Sequence, residues 1–315
     1  MVRQAASADH VVKKPRQVAS QSGVALLQVL LIAAIISLLA IRFTQTAQVH
    51  TKIAIQFEDR TRAQFLAYSA LNEVIFSQLV DSIQPISPVK KPNLSLDDRR
   101  RNLRLWGTEV AWGEGVAVSV QDMNGLLSQK YPEHELWEQL FMRLGISSDD
   151  TKKYIGEWAD IQDPDIRSWV LGDSEPVTVR SGGYYLNGYA QNEAPMRWLF
   201  SDRPQLLDEL LQFSSLNAPF KTNIFHAPPA LLEKLFDPEV ARTIIDSREE
   251  GNGGRIMLEG LLPRVYSERD YLVRYYSGLL QVTVSTKVGK AAWNQSYLVN
   301  LRPSNGSPFT VQLDL

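Results

Sequence analysis

Residues 24–41 read VALLQVLLIAAIISLLAI, eighteen positions broken only by Gln28 and Ser37 and closed by Arg42. Coiled as a helix the run spans about 27 Å, enough for a slightly thinned bilayer crossing. A buried core helix is the other reading of such a run, but an apolar circumference suits lipid better than a core reached from one side. Arg3, Lys13, Lys14 and Arg16 precede the run, with only Asp9 opposing them. This bias predicts a cytoplasmic N-terminus, with the rest of the chain carried across the membrane. The run is longer than the apolar region of an ordinary secretory signal, and only the weak triplet Thr44-Gln45-Thr46 follows it, so ordinary signal cleavage is not expected. Gly23 and Val24 stand where a polar basic leader meets the apolar run, and the leader is read as residues 1–23.

Downstream of Arg42 the helical pattern continues. No proline or glycine occurs from Val24 to Gln84, and Ile53, Phe57, Phe65, Tyr68, Ile75 and Leu79 keep helical spacing. One helix is therefore predicted from the membrane segment at 24–41 to about residue 83, its outer half having one face to bury. Pro85 and Pro88 end it, and PISPVKKPNLSLDDRRRNLR reads as an exposed loop in which Arg99, Arg100 and Arg101 form a solvated turn rather than an anion site.

Beyond the loop, VAVSVQ at 116–121 alternates as a half-buried strand does, and three further strands are expected at 278–288, 295–303 and 309–315. Helical patterns fill the interval: EHELWEQLFMRLGI, TKKYIGEWADI, PQLLDELLQF, PALLEKLF and PEVARTIIDSR, several opened by proline at a first helical turn. The expected class is α+β, a long N-terminal helix on a small antiparallel sheet with a large inserted all-α domain. Its boundaries fall at 84–127 and 263–315 for the discontinuous sheet domain and at 128–262 for the insertion.

Composition limits the chemistry. The 315 residues carry 33 basic and 35 acidic side chains, a formal charge of -2, which argues against nucleic-acid binding by bulk charge. At 44% hydrophobic and 22% charged the chain is too apolar to be disordered. It has no cysteine, which removes disulfides, thiolate nucleophiles, thiolate metal sites and iron–sulfur clusters together. Ser87-Pro88-Val89-Lys90 matches Ser-x-x-Lys only inside a proline-rich loop, His134-Glu135 lacks the second histidine of a zincin, and His10, His50, His134 and His226 have no ligand spacing. No enzyme is expected.

A basic leader ending in glycine, an apolar N-terminal helix and a helical insertion in a small sheet together resemble the K-type minor pseudopilins of the type II (general) secretion pathway. The resemblance runs along most of the chain. Asp122-Met123-Asn124-Gly125-Leu126 is similar to the family's Asp-x-x-Gly segment, with Ser128 where asparagine is usual. Trp158-Ala159-Asp160 with Asp163 and Asp165 resembles its Trp-x-Asp-x-Asp stretch. Tyr184-Tyr185, Asn192 to Met196 and Glu209-Leu210 follow in order, and Thr222 to Pro228 resembles the Asn-x-Asn-Thr-Ala-Pro element, departing at Phe225 and His226.

The resemblance implies a single-pass inner-membrane subunit with a periplasmic globular part, cut by prepilin peptidase between Gly23 and Val24. It would assemble with the I-, J- and H-type minor pseudopilins and the major pseudopilin to cap or initiate a pseudopilus that drives folded proteins across the outer membrane. Gln28, fifth from Val24, stands where major subunits carry a glutamate, which implies a place at the tip. It also implies calcium in the insertion, for which Asp160, Asp163 and Asp165, with Asp173 and Glu175 nearby, are the candidate ligands. A solvated acidic loop is the other reading of those residues, weighted by Gly182-Gly183 where the family often has an acidic residue. Tyr184, Tyr185, Tyr189, Trp198 and Phe200 are read chiefly as core, with a binding surface as the alternative. Two other functions stay open from sequence alone, an anchored periplasmic enzyme or binding protein and a type IV pilus minor pilin.

Overall fold

A computed structural model describes residues 22–83, 103–132, 135–165, 167–168, 186, 188–249, 276–303 and 306–313. Helix α1 runs from Ser22 to Ile83 without a break, as the absence of proline and of any glycine after Gly23 requires. The chain divides into two compact units, Met1–Glu58 and Asp59–Leu315. In the first, the described part is helix alone, and Val24, Leu31, Ile36, Ile41 and Phe57 are all more than half exposed.

The second unit contains a five-stranded sheet. Strands β1 (Trp106–Gly113) and β2 (Val116–Asp122) are early in the chain. Then come the two-residue β3 (Leu127–Ser128), helices α2 (Glu135–Arg143), α3 (Ser148–Gln162), α4 (Ala194–Leu199) and α5 (Pro204–Phe213), and β4 (Ser214–Ser215). Helices α6 (Pro229–Leu235) and α7 (Pro238–Glu249) precede β5 (Leu279–Val288), β6 (Ala291–Asn300) and β7 (Thr310–Leu313). The large sheet is antiparallel throughout, in the order β1-β2-β5-β6-β7, and β3 pairs with β4 in parallel. The α+β class therefore holds.

Strand β1 is an addition to the sequence reading. It lies at the sheet edge, buries only Trp106 and Trp112 fully, and has irregular register at both ends, so its alternation of apolar and polar residues is lost. Helix α4 is also additional, because six residues are too few to show a periodicity.

Among the described residues of this unit lie two large apolar cores and a small third cluster of Met123, Leu126 and Ala218. Ala67, Ala70, Leu71, Val74 and Ile75 of α1 pack with Val118, Val120, Val282, Val284 and Val299 of the sheet. Alanines at the contact let the helix approach closely enough for Thr286 Oγ1 to donate to the Ala63 carbonyl at 2.9 Å. The second core is helical and rich in rings: Trp137, Phe141, Tyr154 and Phe200 join leucines from α2, α5 and α6. Tyr154 and Phe200 stack at 4.9 Å, and both fall near Phe141. Ser147 caps α3 by accepting from the Asp150 N–H at 3.1 Å.

Candidate functional site

With no catalytic constellation expected, the surfaces that could bind another protein come first. In the first unit α1 is long and apolar enough to cross a membrane, and its apolar window has no part buried. Val24 and Gln28 both lie on it and are exposed. Gly23 is helical, one residue inside the start of α1, and the leader before Ser22 lies outside the described residues.

In the second unit α1 has two apolar faces. One carries Ala63, Ala67, Ala70 and Val74 and is covered by the sheet. The other presents Phe65 at 70% exposure, Phe76 at 68% and Val80 at 41%. Phe65 and Phe76 are eleven residues apart, three helical turns, so they stand on one side of the helix. Tyr68 is between the two faces, 43% exposed and with its ring 6.4 Å from that of Tyr297. Two bare phenylalanines on a helix already packed through its opposite side make this face the candidate assembly surface.

A polar joint ties the sheet to the helical part. The end of β2, the turn Met123–Gly125 and the turn Ile224–His226 meet face to face. Asn223 N–H donates to the Asn124 carbonyl at 2.6 Å, and Gln121 Nε2 donates to the His226 carbonyl at 3.0 Å. The fully buried Asp122 carboxylate faces His226 Nδ1 at 2.5 Å and accepts from the Ser277 hydroxyl and backbone N–H. Only glycine fits at position 125, since a Cβ there would lie 2.1 Å from the His226 carbonyl oxygen. The Asp122 to Leu126 and Thr222 to Pro228 segments, about a hundred residues apart in sequence, are thus the two halves of one contact. His226 fills a structural place in it, its ring bonded to Asp122 and to no nucleophile among the described residues.

The acidic candidates are arranged differently. Asp160 is buried on α3 and accepts from Ser168 Oγ at 2.9 Å, while Asp165 Oδ1 accepts the Arg167 N–H at 2.7 Å. Asp163 ends the helix, and its Oδ1 is buried with no hydrogen-bond partner among the described residues. Burial, then the charges of Asp165 and Asp160, push its carboxyl above the usual range. A cation would relieve that one oxygen, yet among the described residues no three acidic or histidine side chains converge as a metal-binding group. Asp173, Glu175, Gly182 and Gly183 lie outside the described residues.

The aromatic tract splits. Phe200 is buried in the helical core, whereas Tyr189 is 51% and Trp198 37% exposed, and Tyr184 and Tyr185 lie outside the described residues. Nothing in the sequence pattern announces the Arg248 site: its guanidinium lies 4.1 Å from the Trp106 ring centroid, donates to the Ala227 carbonyl at 2.5 Å, and is pushed down by burial to about 10.

Comparison with known proteins finds no matching family model and no curated protein that matches. Among solved structures, a chain of the GspK-GspI-GspJ complex of the type 2 secretion system from enterotoxigenic Escherichia coli matches over 83% of this chain and 99% of that one. Identity is 14% and the TM-score is 0.53, so the likeness is one of fold. The long helix, the antiparallel sheet and the helices between its strands together give this chain a GspK-like minor pseudopilin fold.

Proposed function

We propose that the protein is a minor pseudopilin of the type II secretion pathway that caps or initiates a periplasmic pseudopilus. The observation carrying this reading is the fold match over nearly the whole of a chain whose complex is named for three such subunits. The apolar, unburied Val24–Ile41 segment supports an inner-membrane anchor, and the charge bias before it supports a cytoplasmic N-terminus. No step of this function requires catalysis; the work is assembly.

In this reading residues 1–23 are a leader removed by prepilin peptidase, and 24–41 is the membrane segment of a helix reaching about residue 83. Residues 84–127 and 263–315 form the sheet domain, and 128–262 the insertion. Partners are the I-, J- and H-type minor pseudopilins and the major pseudopilin, met through the exposed Phe65 and Phe76 face. Gln28 supports a position at the tip, because a neutral amide cannot supply the buried carboxylate that a shaft subunit needs to pair with its neighbour's ammonium. The bulk of the insertion points the same way, since a head that wide clashes in a close-packed shaft. Calcium at Asp160, Asp163 and Asp165 remains part of this reading and is tested by thermal unfolding.

Deleting the gene in its own cells should stop release of folded exoproteins while they accumulate in the periplasm, and subunit counting on purified pseudopili should find one or very few copies at an end. Repetition along the shaft at a stoichiometry near the major subunit's would rule out the tip placement, and unchanged secretion would rule out the function.

A further inference from the structure

The sheet face that α1 covers continues past the helix. The core beneath α1 draws on β2, on β5 and on Tyr297 and Val299 of β6, and no residue of β7 belongs to it. In the register of β6 with β7, Tyr297 stands opposite Leu313 and Val299 opposite Val311. Residues paired directly across two strands point to the same side of a sheet, so Val311 and Leu313 lie on the helix side. Thr310 and Gln312 alternate to the other side. Tyr297 and Val299 are buried, yet Val311 is 40% exposed and Leu313 52%. Strand β7 therefore has an apolar and a polar face, and its apolar face is bare although the same surface one strand away is covered.

The dimensions of this bare shelf fit a helix. Strands stand about 4.8 Å apart and helices pack side by side at about 8–10 Å. A second helix lying beside α1 is thus displaced by about two strands, from β2 and β5 to β6 and β7. Tyr68 of α1 walls the shelf, with its ring 6.4 Å from that of Tyr297 on the floor. Tyr68 also makes the shelf continuous with bare Phe65, three residues earlier on the helix. On the opposite flank of α1 the corresponding place is filled, since Trp112 of β1 is buried and its Nε1 donates to Glu73 of α1 at 2.8 Å.

We propose that the shelf of Val311 and Leu313, walled by Tyr68, seats the long apolar helix of a neighbouring subunit, packed alongside α1 on one sheet. The identity of that neighbour as a pseudopilin rests on the function proposed above; the shelf and its fit to a helix do not. Strand addition at the outer edge of β7 is the competing mode. An added strand would pair backbone in the plane of the sheet and leave Val311 and Leu313 uncovered, because their side chains stand perpendicular to that plane. A helix laid on the face covers both. Its contact side needs small residues, as α1 has at Ala63, Ala67 and Ala70, for two helices to rest close together on one sheet.

The test uses the full-length protein in its own cells, with the photo-crosslinker p-benzoylphenylalanine in place of Val311, Gln312 or Leu313 and mass spectrometry to locate the joined residues. Crosslinks from positions 311 and 313 should reach the N-terminal helix of another subunit, at least about tenfold more strongly than from position 312. Val311→Ser combined with Leu313→Ser should keep the unfolding midpoint, both side chains being exposed, and should lower partner co-purification at least about tenfold. Joining to a strand of the partner, equal yield from position 312, or no joining from 311 and 313 overturns the proposal. Where the leader is cut at Gly23 and secretion depends on the protein while these crosslinks fail, the shelf alone is wrong. Crosslinks from 311 and 313 to a helix of a protein outside the secretion pathway uphold the shelf and overturn the pseudopilin reading.

Discussion

Residues 24–41 and residues 63–80 lie on one helix, with sixteen and twelve apolar side chains out of eighteen, and they meet different fates. The first stretch is apolar on every side and none of its window is buried. The second buries a face of alanine, leucine and valine against the sheet while Phe65, Phe76 and Val80 stay bare. Hydrophobicity alone does not say where a helix goes. The size of the side chains on each face does, since small ones permit close contact with a sheet and large exposed ones await another surface.

That contrast can be broken from the covered side first. Val74→Asp puts an unpaired charge at a fully buried position and should abolish cooperative unfolding, a loss above about 4 kcal/mol. Phe65→Ser and Phe76→Ser should stay within about 0.5 kcal/mol of the parent in the same denaturant titration. They should instead reduce co-purification with partner subunits. Equal destabilisation from both faces would show that the exposed face is part of this chain's own core.

The joint between the sheet and the helical part gives smaller effects. Gly125→Ala forces a methyl against the His226 carbonyl and should cost about 3 kcal/mol, whereas Gly113→Ala, with open space around its Cβ, should cost far less. Asp122→Asn removes the charge that Ser277 and His226 face and should cost about 2 kcal/mol. The midpoints of urea unfolding check both.

The smallest effect separates the acidic loop from a metal site. Because the folded-state pKa of Asp163 is raised, the folded chain holds that proton more tightly than the unfolded one. Its contribution is favourable below the ordinary carboxylate pKa and is lost as pH rises through the raised value. Asp163→Asn should therefore match the parent in acid and be slightly more stable at neutral pH. If calcium is bound there, the sign reverses: the parent gains stability with calcium over chelator and the variant does not.

Much of the fold was legible because its signals are local. A helix without proline, alternating valines in β2 and proline-led helices each declare themselves within a dozen residues. Strand β1 did not, since an edge strand with two irregularities has too few buried positions to keep a period. The contact of Asp122 with His226 was legible only as two separate motifs, because a contact across about a hundred residues leaves no spacing to read. The faces of α1 were mixed in one list of apolar residues: Ile75 is buried, Phe65 is bare, and only the sheet's position tells them apart.

The pseudopilin reading stands or falls most directly on the N-terminus of the protein recovered from its own cells. Sequencing of the membrane-extracted chain should begin at Val24, and Gly23→Val should keep the leader. A chain that still begins at Met1, a cut near Thr44 to Thr46, or a Gly23→Val protein that loses its leader would contradict it.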